Sequence, residues 1–235
     1  MPSPSAHSHS LPVPRPALLL GAVVALAFGA VALDNCRLRR RLTQARRDPL
    51  TGLPTRPDLM VAGARMSSRY RDTVALFADA NGLKSINDQF GHDAGDAAIQ
   101  AMGHRLATWC ASRSGLVARL GGDEFAAVVR LPLAACARDA ALAELHRTVT
   151  DEPLAHGGHM LPLAVAIGAM PLADVPGGVW SHAMRAADAA MYRAKQAGTG
   201  PQIGRVADMT KPTVNGRRSG RPGTHWAAPA RAGIR

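Results

Sequence analysis

Arg119-Leu120-Gly121-Gly122-Asp123-Glu124-Phe125 joins two short apolar runs, residues 116–120 and 125–129. Two glycines followed by two adjacent acids, between strand-like segments, describe a β-hairpin whose tight tip carries carboxylates. Glycine lets a bulky ligand approach the backbone, and acids beside it suit a hard cation such as Mg²⁺. The chemistry written here is that of a metal-bound phosphate ester, with a nucleotide as its natural form.

Upstream, Thr73-Val74-Ala75-Leu76-Phe77-Ala78 reads as a buried strand ending at Asp79. If that strand neighbours the hairpin, Asp79 and Asp123 converge on one edge and share the cation. Asn81-Gly82-Leu83-Lys84 then leads into a helix, whose first N–H groups can hold phosphate oxygens. Helical spacing recurs over 95–112, 133–149 and 180–196, and residues 161–169 read as another strand. Strands and helices mix without strict alternation, and one hairpin is antiparallel. The expected class is α/β in the α+β sense, a mixed central sheet covered by helices.

Four ordered signatures carry a family resemblance. They are Asp48-Pro49-Leu50-Thr51-Gly52-Leu53, then Asn87-Asp88-Gln89-Phe90-Gly91-His92-Asp93-Ala94-Gly95-Asp96, the Gly-Gly-Asp-Glu tip, and Ala187-Asp188-Ala189-Ala190-Met191-Tyr192-Arg193-Ala194-Lys195. From Asp48 to about Gly204 the chain resembles the GGDEF domain of diguanylate cyclases, which join two GTP molecules into cyclic di-GMP. The resemblance implies a palm-like nucleotidyl cyclase fold. It also implies Mg²⁺ (or Mn²⁺) held by Asp79, the Ala80 carbonyl and Asp123, with Glu124 as a second acid. Asp123 is expected to activate the ribose 3′-hydroxyl, and Lys84 to counter charge that builds during phosphoryl transfer. Gly82, Leu83 and Lys195 would hold phosphates, and Asn87 and Asp96 would select guanine, because a carboxylate accepts from N1–H and the exocyclic amine. Two protomers must meet for reaction, so a homodimer is implied. Singly, each residue has a plainer reading: Asp79 or Asp96 as a helix N-cap, Asp123 as a turn residue, and the lysines as solvated surface.

Three departures from the family pattern stand out. Asn81 occupies the second acidic position of the metal strand, which removes a charge but keeps the shape. Thr199 replaces the phosphate-binding arginine that follows Lys195 in relatives, so weaker GTP binding is expected. Ser112-Arg113-Ser114-Gly115 fills the window where many relatives carry R-x-x-D, so no product feedback is expected there.

The chain's net charge of +11 sits in its flanks. Residues 37–47 hold six arginines and no acid, and 202–235 hold seven Lys/Arg against one acid, which leaves 15 bases and 16 acids elsewhere. The domain itself therefore has no general nucleic-acid footprint. Three scattered cysteines form no C-x-x-C pair and suit a reducing compartment, and the nine histidines show no metal spacing.

Residues 1–16 are Pro/Ser/His-rich and expected to be disordered. Residues 17–33 are seventeen uncharged, apolar positions, the short end of a membrane-spanning helix. Basic residues 34–47 follow at once, so the positive-inside rule puts the domain on the cytoplasmic side of the inner membrane, single-pass, with 17–47 touching lipid. A cleaved signal peptide ending near Ala30-Val31-Ala32 is the rival reading, opposed by the arginines just after it. The basic tail, 205–235, is expected to be disordered. Two further readings of the whole chain stay open: a non-enzymatic nucleotide-binding scaffold and an Arg-rich DNA-associated membrane protein.

Overall fold

The structure is a computed structural model that describes residues 47–210, together with the isolated positions 29, 31 and 34. The membrane helix expected at 17–33 falls almost wholly outside the described residues, as does the tail beyond Thr210. Among the described residues no helix is long and apolar enough to cross a membrane. The folded unit begins at Arg47.

A five-stranded sheet forms its centre. Strands β1 (Thr73–Asn81), β2 (Leu116–Gly121), β3 (Glu124–Arg130), β6 (Ala164–Pro171) and β7 (Gln202–Ile203) lie in the order β2-β3-β1-β6-β7. β1 runs antiparallel to both β3 and β6, and β7 is parallel to β6, so the sheet is mixed. β1 is central because Val74 to Ala78 form an unbroken apolar run, and eight of its nine residues are buried. Such a run must be covered on both faces. Val74, Leu76 and Ala78 meet helices α3 (His92–Ala111) and α4 (Ala135–Thr150), through Ile99, Leu106 and Leu142. Ala75 and Phe77 meet α1 (Arg56–Ser67) and α5 (Trp180–Ala197), through Leu59, Trp180 and Met191. Burying a side chain the size of Phe77 is worth roughly 2–3 kcal/mol, so this two-sided strand anchors the domain.

α5 approaches β6 unusually closely. A Cβ on Gly168 would collide with the backbone of Ala187 and Met191, so only glycine lets the helix settle there. That approach fixes the end of α5, where Lys195 stands.

The structure differs from the sequence expectations in several places. The helix expected from residue 95 begins at His92, and a separate short helix, α2 (Leu83–Phe90), precedes it. The strand expected over 161–169 is divided. A small hairpin, β4 (Leu154–His156) with β5 (His159–Leu161), leaves the main sheet before β6 starts. α1 had no counterpart in the sequence reading, although Thr55-Arg56-Pro57-Asp58 is a start signal, with proline and an acid in the first turn. The packed domain also runs beyond the boundary expected at Gly204. Asp208 and Met209 are buried, and Arg193 Nη1 bonds Asp208 Oδ2 at 2.7 Å, so residues 205–209 belong to the domain and not to a disordered tail.

Candidate active site

The hairpin between β2 and β3 turns through Gly121 (φ 132°) and Gly122 (φ 56°), both in backbone regions that favour glycine. A register shift at Arg119/Gly121 bends the tip. Register then places the acids: Glu124 lies directly opposite Asp79 across the β1–β3 ladder. Ala80 N–H donates to the Asp123 carbonyl at 3.0 Å, so the tip is closed onto the end of β1. Alternation along the strand puts Asp79 on the same face as Ala75 and Phe77, the face covered by α5. Lys195 of α5 accordingly donates to Asp79 Oδ1 at 2.5 Å. Burial, and after it the charge of Asp123, pushes the Asp79 carboxyl up to about 7; Lys195 opposes the rise and Glu124 adds to it.

One residue locks the tip from behind. Arg119 Nε and Nη2 both donate to the Gly122 carbonyl, at 3.0 and 2.7 Å, while Nη1 reaches both Asp48 oxygens at 2.8 and 3.1 Å. Asp48 also accepts from the Thr51 N–H and hydroxyl. Burial alone would raise the Asp48 carboxyl, but the bonds from Arg119 and Thr51 outweigh it and leave the group below its ordinary value. The turn that opens the domain is thereby tied to the glycines of the tip. Sequence reasoning quoted both residues without pairing them, since they lie 71 positions apart.

α2 begins at Gly82, a left-handed N-cap with no side-chain cap bond, so the first-turn N–H groups of Leu83 and Lys84 stay available. Lys84 is exposed. Asn87 is on α2 and Asp96 on α3; the Asn87 carbonyl accepts from Gly91 N–H at 2.9 Å, but neither side chain makes a hydrogen bond among the described residues. Two of the plainer readings fail here. Asp79 lies inside β1, with Gly82 as the cap that follows, and Asp96 sits more than a turn inside α3, whose N-cap is Gly91.

The residues fit a divalent cation of the Mg²⁺ type. Asp79 is a buried carboxyl crowded by Asp123 and Glu124, and Asn81 Oδ1 is a buried oxygen with no hydrogen-bond partner among the described residues. All are hard oxygen donors. Among the described residues no three acid, His or Cys side chains form a ready-made cage. Mg²⁺ is commonly held by one or two carboxylates plus substrate phosphates, which this donor set allows.

The departures can also be placed. Arg113 stacks over Trp109 at 4.0 Å and forks onto Glu144 at 2.8 and 2.9 Å, so its guanidinium is already engaged. Thr199 is exposed and accepts from Gln202 Nε2 at 3.2 Å.

Comparison with known proteins agrees with this architecture. The family described as "Diguanylate cyclase, GGDEF domain" matches residues 45–201. The chain is 43% identical over 164 residues to an uncharacterized 19.3 kDa protein from Streptomyces ambofaciens, covering 70% of this chain and 86% of that one. It is 35% identical over 179 residues to the diguanylate cyclase TpbB of Pseudomonas aeruginosa, covering 73% of this chain but only 39% of TpbB. Its fold matches the coiled coil and GGDEF domain of DgcB from Caulobacter crescentus, solved with c-di-GMP, at TM-score 0.63 and 26% identity over 78% of this chain and 98% of that one. The chain belongs to the GGDEF diguanylate cyclase domain family.

Proposed function

We propose that the protein is a diguanylate cyclase, condensing two GTP into cyclic di-GMP and two pyrophosphates where two protomers meet. The observation that carries this reading is the register that sets Asp79 against Glu124 while Ala80 N–H holds the Asp123 carbonyl. When bound, Mg²⁺ (or Mn²⁺) would neutralise the triphosphate and polarise the α-phosphorus. Asp79, the Ala80 carbonyl and Asp123 are its proposed ligands, with Glu124 beside them. Asp123 takes the proton of the ribose 3′-hydroxyl as it attacks the partner protomer's α-phosphate. The first-turn N–H groups of α2 orient phosphate oxygens, and Lys84 stabilises negative charge that builds on them. Lys195, which rests on Asp79, would pass to the terminal phosphates when substrate binds. Asn87 and Asp96 read guanine. Feedback by product does not operate through residues 112–115, because Arg113 is bound to Glu144 and neither acid nor arginine stands in register.

Residues 17–33 are proposed to anchor the chain in the cytoplasmic membrane, with 34–47 against anionic lipid, which raises the local concentration of protomers. A non-enzymatic nucleotide receptor is the second reading, favoured by Thr199 in place of a phosphate-binding arginine. Full-length protein incubated with GTP and Mg²⁺, with products identified by mass spectrometry, separates the two. Cyclic di-GMP from the parent and none from Asp123→Ala is the expected result; GTP binding without turnover in the parent contradicts the cyclase.

A further inference from the structure

Gly95 occupies a helix interior, where glycine costs roughly 1 kcal/mol against alanine, and its backbone is helical, so no positive φ requires it. Its neighbour explains it. A Cβ on Gly95 would fall on Asn87 Oδ1, with Asn87 Cγ at 2.8 Å and Nδ2 at 3.3 Å. The amide oxygen of Asn87 therefore occupies the space that any other residue at 95 would fill. No hydrogen bond to the described residues holds that amide, so its donors and acceptor remain available while its position is set by shape alone. The next residue along the helix is Asp96, which is exposed and whose side chain likewise makes no hydrogen bond among the described residues.

We propose that Gly95 is a positioning residue for base selection: its missing side chain seats the Asn87 amide beside Asp96, and so sets the preference for guanine. This rests on the reading of Asn87 and Asp96 as the guanine-binding pair. A side chain at 95 would meet only the end of a flexible side chain, since none of the three closest atoms is backbone. The fold can absorb alanine there by moving the amide. The helix gains propensity and the site loses its second polar contact.

The test measures binding of GTP and ATP, each with Mg²⁺, to full-length protein, alongside thermal unfolding. Gly95→Ala is expected to unfold no earlier than the parent, to weaken GTP binding about tenfold, and to leave ATP binding unchanged. Asn87→Ala should show the same loss, and the double variant should lose no more than either single one, because both act through one amide. Additive losses, or a Gly95→Ala protein that keeps the parent's full preference for GTP, overturn the proposal while the nucleotide reading stands. A parent that binds GTP and ATP equally overturns both.

Discussion

The hairpin tip and the α2–α3 turn face the same proposed substrate but are held in opposite ways. At the tip, backbone and charge fix everything: Arg119 clamps Gly122 to Asp48, Ala80 N–H grips the Asp123 carbonyl, and Lys195 covers Asp79. At the α2–α3 turn, the side chains of Asn87 and Asp96 make no hydrogen bond among the described residues, and packing against Gly95 sets the amide. The difference fits two tasks. Transition-state chemistry gains from groups that need no reorganisation, so the reacting end is braced by charge. Base selection needs polar groups still able to bond a ligand, so the reading end is placed by shape and left unsatisfied.

The largest break in this contrast should come from Arg119→Ala. It strands the largely buried Asp48 carboxylate and frees the tip, so the domain should lose about 3 kcal/mol in urea unfolding, with turnover falling too. An equal change at Arg130, whose partner Asp72 lies on the more exposed edge, should cost far less, because solvent screens that pair.

Asp79 gives a pH signature. Its folded value is raised from 3.8 to about 7, so the native state holds a proton that the unfolded chain has released. Its contribution is complete below about pH 4 and is lost as pH rises through 7, a loss of a few kcal/mol at most. Asp79→Asn should therefore be more stable than the parent at pH 8 with chelator present, by roughly 2 kcal/mol, and the gap should close as pH falls to about 4. A gap that is the same at both values would mean that Asp79 is ionised throughout.

Smaller effects sharpen the phosphate side. Thr199→Arg restores a charge-assisted donor after Lys195, and GTP should bind up to about tenfold tighter by calorimetry. No tightening would show that residue 199 is too far from the phosphates to matter. Arg113→Ala should leave sensitivity to added cyclic di-GMP unchanged, since Arg113 is spent on Glu144 and Trp109. Strong inhibition by product that disappears in Arg113→Ala would place a binding site there after all.

The central strand and the hairpin were legible in the sequence because an unbroken apolar run and a Gly-Gly turn are local signals. β1 ends within two residues of Asp79, as the run implied, and the tip falls at Gly121 and Gly122. β4, β5 and β7 were not legible, being two or three residues long and fixed by their neighbours rather than by periodicity. α1 escaped because its apolar positions mark no clear face, although its start was signposted. At the site, the residue types were readable but their partners were not. Lys195 meets Asp79 across 116 positions, a contact made by the approach of α5 over Gly168 and by nothing local. The extension of the domain to Met209 was hidden in the same way, since Asp208 looks like an ordinary polar residue until Arg193 is beside it.

Steady-state kinetics of full-length protein, comparing Asp123→Ala with Asp96→Ala, test the contrast most directly. The account predicts that Asp123→Ala loses at least about a hundredfold in kcat with KM for GTP little changed, because Asp123 acts on the reacting atoms. Asp96→Ala should raise KM while keeping most of kcat. The reverse pattern, with kcat lost at Asp96 and KM at Asp123, would contradict the division of labour between the two regions.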